Sequence, residues 1–369
     1  MKFKAAHADL AACIQMVHRA VASRSTLPVL SGILITAHED HLEMVATDHE
    51  ISIRCTAPAQ VEATGSLVLP ARYLGDIVRK IPYGDVVLEA DDQAARAMIT
   101  WQRSQFVIHG YAAREYPQLP AVDDAKSLTT TQQVLRDLIR RTNFAVSRED
   151  IRPVLTGALL EIDKGDRAGV FATDGYRIAY AQQQGDFAGA AGVAVILPGR
   201  ALAELARLLE QTEDAVEVSI GSNQVQLTFA GVEFCTRVID GSFPNCRAVV
   251  PKDYRATVTA ATEEFLDACE RASLVVRDGP QMLMLRLEQD RLRISAQAPE
   301  VGSVQEEVAA ETSGEALEIA FSGRYLIDAL RSIDRERFLL EISGPASPAR
   351  MRPVGEDDAY HIILPIRLD

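Results

Sequence analysis

Leu27-Pro28-Val29-Leu30-Ser31-Gly32 returns, little altered, as Arg152-Pro153-Val154-Leu155-Thr156-Gly157, an offset of 125 residues (153 − 28). Outward from that pair, Ala46-Thr47-Asp48 returns as Ala172-Thr173-Asp174, offset 126 (172 − 46). Glu115-Tyr116-Pro117 returns as Ser242-Phe243-Pro244, offset 127 (244 − 117). Pro70-Ala71-Arg72-Tyr73-Leu74 becomes Pro198-Gly199-Arg200-Ala201-Leu202 at 128 (200 − 72), then Ser322-Gly323-Arg324-Tyr325-Leu326 at 124 (324 − 200). The order is kept and the offsets barely drift, so the chain holds three copies of one unit. That period is too long for solenoid repeats, which recur every ~20–50 residues, and describes tandem domains instead. Polar, proline-marked stretches at 120–126 and 251–255 supply the breaks, giving domains 1–122, 123–252 and 253–369.

The composition is that of ordinary globular protein: 369 residues, 47% hydrophobic and 24% charged, which excludes disorder over most of the length. No apolar run approaches the ~20 residues that cross a bilayer. The opening residues lack the apolar core of a secretion signal, so a cytoplasmic location and no membrane partner are expected. Five cysteines (Cys13, Cys55, Cys235, Cys246, Cys269) are scattered without a C-x-x-C pair or a neighbouring His cluster. That argues against a metal site or a disulfide framework and for buried thiols in a reducing compartment. With 38 Lys+Arg against 52 Asp+Glu the net charge is −14, which speaks against holding nucleic acid by bulk charge, though a local face can still be basic.

Each unit reads as two helices among many strands. Over 131–146, Val134, Leu135, Leu138, Ile139, Thr142 and Val146 share one side at helical spacing, with Arg136, Arg140 and Asn143 opposite. Phe265, Leu266 and Cys269 point inward from the equivalent helix over 262–276. Period-two alternation at 42–45, 216–220, 224–229 and 283–287, with turn residues between, marks hairpins. The expected class is α+β, helices packed on one face of antiparallel sheets.

The second helix keeps arginine at i and i+7 in every unit: Arg72 and Arg79, Arg200 and Arg207, Arg324 and Arg331. Two turns apart, each pair shares a face. An acid at i+4 (Asp76, Glu204, Asp328) makes a solvated charge ladder one reading, worth a few tenths of a kcal/mol per pair. Equivalent basic helices turned toward one polyanion are the other, and Arg24, Arg136, Arg140, Arg141 and Arg148 favour it. Acids gather in strand and turn segments such as 89–92, 213–214 and 306–307, so charge is sorted by surface.

Catalytic patterns are missing. No phosphate-binding glycine loop and no G-x-S-x-G elbow occurs, and His18, His109 and His361 read as surface or satisfied core residues. Asp48 and Asp174 recur without a repeated acid or base partner, which suits a turn after a strand better than a catalytic carboxylate. A carboxylate hydrolase and a monomeric multi-domain adaptor remain as rival classes; native mass separates the second.

These residues together resemble the bacterial DNA polymerase III beta subunit family, the replicative sliding clamps. Thr26-Leu27-Pro28-Val29-Leu30, Ala46-Thr47-Asp48-His49-Glu50-Ile51, Arg152 to Gly157, Ala172-Thr173-Asp174-Gly175-Tyr176-Arg177, Ile239-Asp240-Gly241-Ser242-Phe243-Pro244 and the closing Leu364-Pro365-Ile366-Arg367-Leu368 carry the likeness across the whole chain. It implies three similar clamp domains, helices inside and sheets outside, and a head-to-tail homodimer closing into a ring around double-stranded DNA. It implies a non-catalytic processivity factor with no cofactor. The candidate DNA contacts are Arg24, Arg72, Arg79, Arg136, Arg140, Arg148, Arg200 and Arg207. It further implies a pocket for short linear peptides of the DNA polymerase III alpha subunit, the clamp-loader complex, other polymerases and repair proteins. Matched by motif, that pocket takes Leu155, Thr173, Gly175, Tyr176, Arg177, Ile178, Pro244 and Val249. A closing strand adds Ile362, Leu364, Pro365, Ile366 and Arg367, and Pro365 suggests a sheet edge. Tyr176 and Leu364 stand where the family often has histidine and methionine. The implied dimer seam sets Arg103, Phe106 and Ile108 against Leu274 and Val275.

Overall fold

The computed structural model describes residues 1–22, 25–119, 122–123, 125–276 and 281–367. Its helices are α1 His7–Val17, α2 Ala71–Lys80, α3 Gln132–Thr142, α4 Gly199–Leu208, α5 Thr262–Ser273 and α6 Gly323–Ser332, two per repeat as expected. Among the described residues the strands form sheets of five, nine and twelve members.

The twice-quoted stretch folds the same way both times. Pro28–Ser31 and Pro153–Thr156 each make one 3-10 turn, with proline presetting the backbone angle of its first residue. The Ser31 hydroxyl donates to the Pro28 carbonyl at 2.6 Å, and that of Thr156 to Pro153 at 2.7 Å. The glycine that follows opens a strand, Gly32–Ala37 or Gly157–Ile162. A Cβ on Gly32 would stand 2.5 Å from Val68 Cγ1, and one on Gly157 2.6 Å from the Leu197 carbonyl oxygen. Only glycine fits so close an approach.

The chain divides into two compact units that cut across the repeats. The first, Met1–Gln133 with Arg207–Val238, contains the nine-stranded sheet. There Ile51–Pro58 of repeat one pairs antiparallel with Val232–Arg237 of repeat two, Ile51 opposite Thr236. The second unit, Val134–Ala206 with Ile239–Asp369, contains the twelve-stranded sheet. There Arg177–Gln184 of repeat two pairs antiparallel with Ala359–Ile363 of repeat three, Arg177 opposite Ile363. Residue for residue, the second join is the first moved on by one repeat (177 − 51 = 126; 363 − 236 = 127). Two strands of the joining kind are left over. Ser104–His109 ends the five-stranded sheet and pairs with Arg96–Trp101 alone among the described residues. Residues 302–309 of the strand Gly302–Gly314 pair with Arg291–Ala298 alone among the described residues.

Helix faces follow the predicted stripes. On α2, Leu74 and Val78 are buried while Arg72, Tyr73 and Arg79 face solvent. On α5, Phe265, Ala268, Cys269 and Ala272 are buried, and Phe265 stacks on Phe338 with ring centres 5.0 Å apart. Burying each such ring is worth ~2–3 kcal/mol. Asn143 departs from its expected outward place: it lies in the 3-10 turn Asn143–Ala145 after α3 and donates to the Gly199 carbonyl at 2.9 Å. The five cysteines are buried free thiols. Among the described residues no helix is long and apolar enough to cross a membrane, and no cluster of three metal-binding side chains occurs.

Candidate functional site

The repeated Thr-Asp pair builds a turn. Thr47 Oγ1 donates to the Ile51 carbonyl, and Asp48 Oδ1 accepts from the Glu50 and Ile51 N–H groups at 3.0 and 2.9 Å. Thr173 donates likewise to Arg177, and Asp174 Oδ1 accepts from Tyr176 and Arg177 at 3.0 and 3.1 Å. The residue between has positive φ both times, His49 at 75° and Gly175 at 93°. These carboxylates hold backbone together, which answers the hydrolase reading at both sites.

In repeat two the turn ends in Arg177, whose side chain is almost wholly buried. Its Nε donates to Asp174 Oδ2 at 3.0 Å, Nη1 to Asp328 Oδ2 at 2.7 Å and Nη2 to the Phe144 carbonyl at 2.7 Å. The guanidinium also lies 4.5 Å from the Tyr325 ring centre. A buried cation so fully bonded is a fixed wall. Beside it, His361 is buried in the strand Ala359–Ile363. Ser332 gives its one hydroxyl proton to the Ala329 carbonyl at 2.6 Å, so His361 Nε2–H donates to Ser332 Oγ at 2.8 Å and Nδ1 keeps an unpaired lone pair. Burial first, then the charges of Arg177 and Arg141, push its pKa down to about 3. Unfolded, it titrates near 6.5, so at lower pH the unfolded chain takes up a proton that the folded one refuses. Stability therefore falls as pH drops from 6.5 toward 3, by ~1.4 kcal/mol at pH 5.5. His361→Gln should flatten the fall in melting temperature between pH 7.5 and 5.5; an unaltered slope would place that titration elsewhere.

Leu155, Thr173, Gly175, Arg177, Ile178, Pro244, Val249 and Leu364 line one cavity of about 830 Å³. Arg152, Val154, Ser242, Phe243, Asn245 and Cys246 complete its wall. These were not anticipated, although Val154 and Phe243 belong to the repeated Pro-Val-Leu and Phe-Pro motifs that mark the site and the others flank them. Burial and Glu161 raise the Cys246 thiol to about 11, so it stays protonated and serves as an apolar wall. Ile362 is fully buried in the cluster that includes Phe171, Ile178 and Cys246. Tyr176 is 64% exposed and does not line the cavity; its carbonyl accepts from the Leu364 N–H at 3.0 Å.

The closing strand corrects the edge reading. Ala359–Ile363 is an interior strand, paired with Arg177–Gln184 on one side and Ala349–Pro353 on the other. Pro365 lies past its end, where no ladder bond is asked of it, and the Ile366 N–H donates to the Ala320 carbonyl at 2.8 Å. Pro365, Ile366 and Arg367 stand outside the cavity wall.

The basic candidates sit on helices and one loop. Arg72 and Arg79 of α2, with His18 and Arg19 after α1, line a groove of about 660 Å³ between these helices. Neither His18 nor Arg19 was expected in this role; both follow the end of α1, beyond its periodic stretch. Arg200 and Arg207 of α4 and the loop residue Arg148 are exposed, and Arg136 of α3 is half-buried. Arg140 is ion-paired with Asp334 and lies 3.9 Å from Asp137. The charge ladder is real too: Arg79 meets Asp76 at 2.5 Å and Arg324 meets Asp328 at 3.8 Å. The Arg79–Asp76 pair is exposed and worth ~0–1 kcal/mol, so a competing anion can displace the acid. Arg24 lies outside the described residues.

Among the seam candidates, Phe106 is 39% exposed while Ile108 is buried, and Val107 between them, unremarked in the sequence, is 62% exposed. Leu274, just past α5, is 67% exposed, and Val275 is half-buried.

Comparison with known proteins agrees with this arrangement. Family models of the DNA polymerase III beta subunit match in order: the N-terminal domain over residues 1–120, the central domain over 129–245 and the C-terminal domain over 247–367. A beta sliding clamp of Staphylococcus aureus is 36% identical over 95% of this chain and 94% of its own length. The crystal structure of the Bacillus subtilis DNA polymerase sliding clamp is 32% identical, covers 100% of both chains and superposes with a TM-score of 0.95. A Pseudomonas aeruginosa sliding clamp bound to griselimycin is 29% identical over 100% of both chains, with a TM-score of 0.94. The chain thus belongs to the DNA polymerase III beta subunit family, as a three-domain sliding clamp that serves replication as a processivity factor and not as an enzyme.

Proposed function

We propose that two copies of the chain close head to tail, in the cytoplasm, into a ring of six domains bounded near 1–122, 123–252 and 253–369. Duplex DNA passes through the ring. Short peptides of the polymerase III alpha subunit, the clamp loader, other polymerases and repair proteins dock in the Leu155–Ile178–Leu364 cavity. The observation that carries the ring is the strand join used twice, with two strands of the same kind left over. Applying the join a third time brings Ser104–His109 of one copy against residues 302–309 of another. Such a contact is heterologous, and it closes only if rotation returns to the start. Arg103 stands at the tip beside the first strand, while Glu306 and Glu307 on the second are engaged by Arg271 and Arg293 of their own copy, so the apolar residues carry the match. Exposed Phe106 and Val107 stand on one side and Leu274 on the other.

A closed ring explains how a chain of charge −14 works on DNA. Topology prevents escape, so contacts need only be weak and blind to sequence, and sliding stays cheap. The arginines of α2, α3 and α4 are the proposed contacts. Arg72→Ala combined with Arg79→Ala should weaken binding to a short duplex at ~50 mM salt by ~5–10-fold and flatten the salt slope by ~2, with native mass unchanged. Unaltered affinity and slope would remove α2 from the DNA-facing set. The cavity reading draws support from the griselimycin bound by the P. aeruginosa relative, and that compound is the natural probe.

A further inference from the structure

The Arg177 wall of the cavity is held from outside it. Asp174, its neighbour, is already committed: Oδ1 accepts two backbone N–H groups and Oδ2 takes Nε of Arg177. The Phe144 carbonyl takes Nη2. For Nη1 the structure offers Asp328, on α6 of repeat three, at 2.7 Å. Asp328 occupies the i+4 position of the arginine ladder. Its counterpart in repeat one, Asp76, stays with Arg79 of its own helix at 2.5 Å. Asp328 sits closer to Arg177 than to its own Arg324, 2.7 Å against 3.8 Å. At the first join the place of Arg177 is taken by Ile51, opposite Thr236 as Arg177 is opposite Ile363, so no such reach exists there.

We propose that Asp328 is a positioning residue for peptide binding: it pins the Arg177 guanidinium against Tyr325 and Phe144 and keeps it out of the cavity it borders. Without that carboxylate, a guanidinium only 3% exposed keeps a charged N–H with no partner, a costly state in a buried site. The nearest relief is rotation into the adjoining space of about 830 Å³, where it meets water and occupies volume that a peptide's apolar side chains need. The helix of repeat three thereby sets the shape of a pocket whose wall is mostly repeat two. The inference rests on the cavity being the peptide site.

The test titrates griselimycin into the full-length protein by calorimetry, with native mass and melting temperature recorded alongside. Asp328→Asn, isosteric and uncharged, should weaken binding by ~10-fold, and Asp328→Glu should recover it to within ~3-fold. On an Arg177→Lys background, Asp328→Asn should add little, because the group it positions is gone. Wild-type affinity in Asp328→Asn would overturn the proposal. So would a full additive penalty in the double variant, since loss through general destabilisation does not depend on Arg177. If the unaltered protein fails to bind griselimycin, the cavity reading falls first and takes this inference with it.

Discussion

Leu364→Asp is expected to weaken griselimycin binding by at least ~100-fold while leaving the melting temperature within a few degrees of wild type. Leu364 follows directly on the strand Ala359–Ile363, and its N–H is tied to the Tyr176 carbonyl at 3.0 Å. That backbone bond survives substitution, so the side chain still points where Leu155, Ile178 and Val249 line the cavity. There, with the Arg177 guanidinium already committed to Asp174 and Asp328, a carboxylate faces the apolar side chains of Leu155, Ile178 and Val249 in the filled pocket. Desolvating it without a partner costs several kcal/mol, and ~3 kcal/mol already corresponds to ~100-fold in affinity. The residue is partly solvated when the pocket is empty, so the cost falls on the complex and spares the fold. Calorimetry on the two proteins decides the matter. Affinity within threefold of wild type would mean that the compound sits elsewhere.

Leu274→Asp should convert the dimer to monomer at ~1 μM. Leu274 is 67% exposed in the single chain. Arg271, one turn earlier, binds Glu306 through Nε and Nη2 at 3.0 and 2.8 Å, which ties this end of α5 to the strand proposed for the seam. A carboxylate pressed against the exposed apolar surface of Phe106 and Val107 of another copy would lose its water. A loss of ~3–4 kcal/mol raises the dissociation constant by ~100–1,000-fold. Light scattering should then report 40.3 kDa for the variant in place of twice that figure for wild type. A variant that kept the doubled mass would remove Leu274 from the seam.

Much of the fold was legible because a repeat repeats its physics. Pro-Val-Leu-[Ser/Thr]-Gly sets a 3-10 turn and a glycine too crowded for any Cβ, and Thr-Asp sets a capped turn, so both can be read wherever they fall. The helices were legible for the same reason, since a stripe at 3.6-residue spacing is local. What resisted was set by distant partners. Arg177 and Asp328 are 151 residues apart, and nothing in their spacing announces a 2.7 Å bond. The compact units cross the repeat boundaries because backbone ladders from Ile51–Pro58 to Val232–Arg237, and from Arg177–Gln184 to Ala359–Ile363, bind neighbouring repeats together. On Ser104–His109 alternation alone put Phe106 and Ile108 together, yet Ile108 is buried and Phe106 is not, although both stand opposite residues of Arg96–Trp101. At the C-terminus the apolar run 362–366 looked like one strand, although the strand ends at Ile363 and Ile366 pairs apart from it, with Ala320. In the cavity, motif matching reached Leu155 and Pro244 but not Val154, Phe243 or Cys246, which tertiary packing brings in.

The most direct trial of the whole proposal loads the protein onto nicked circular plasmid and onto the same DNA linearised, then follows each through a sizing column at ~0.3 M salt. Retention on the circle with rapid loss from the cut molecule is the predicted result, since only an unbroken loop of protein is trapped by an unbroken loop of DNA. Equal retention on both would mean that the arginines grip rather than encircle, and the account would be wrong at its root.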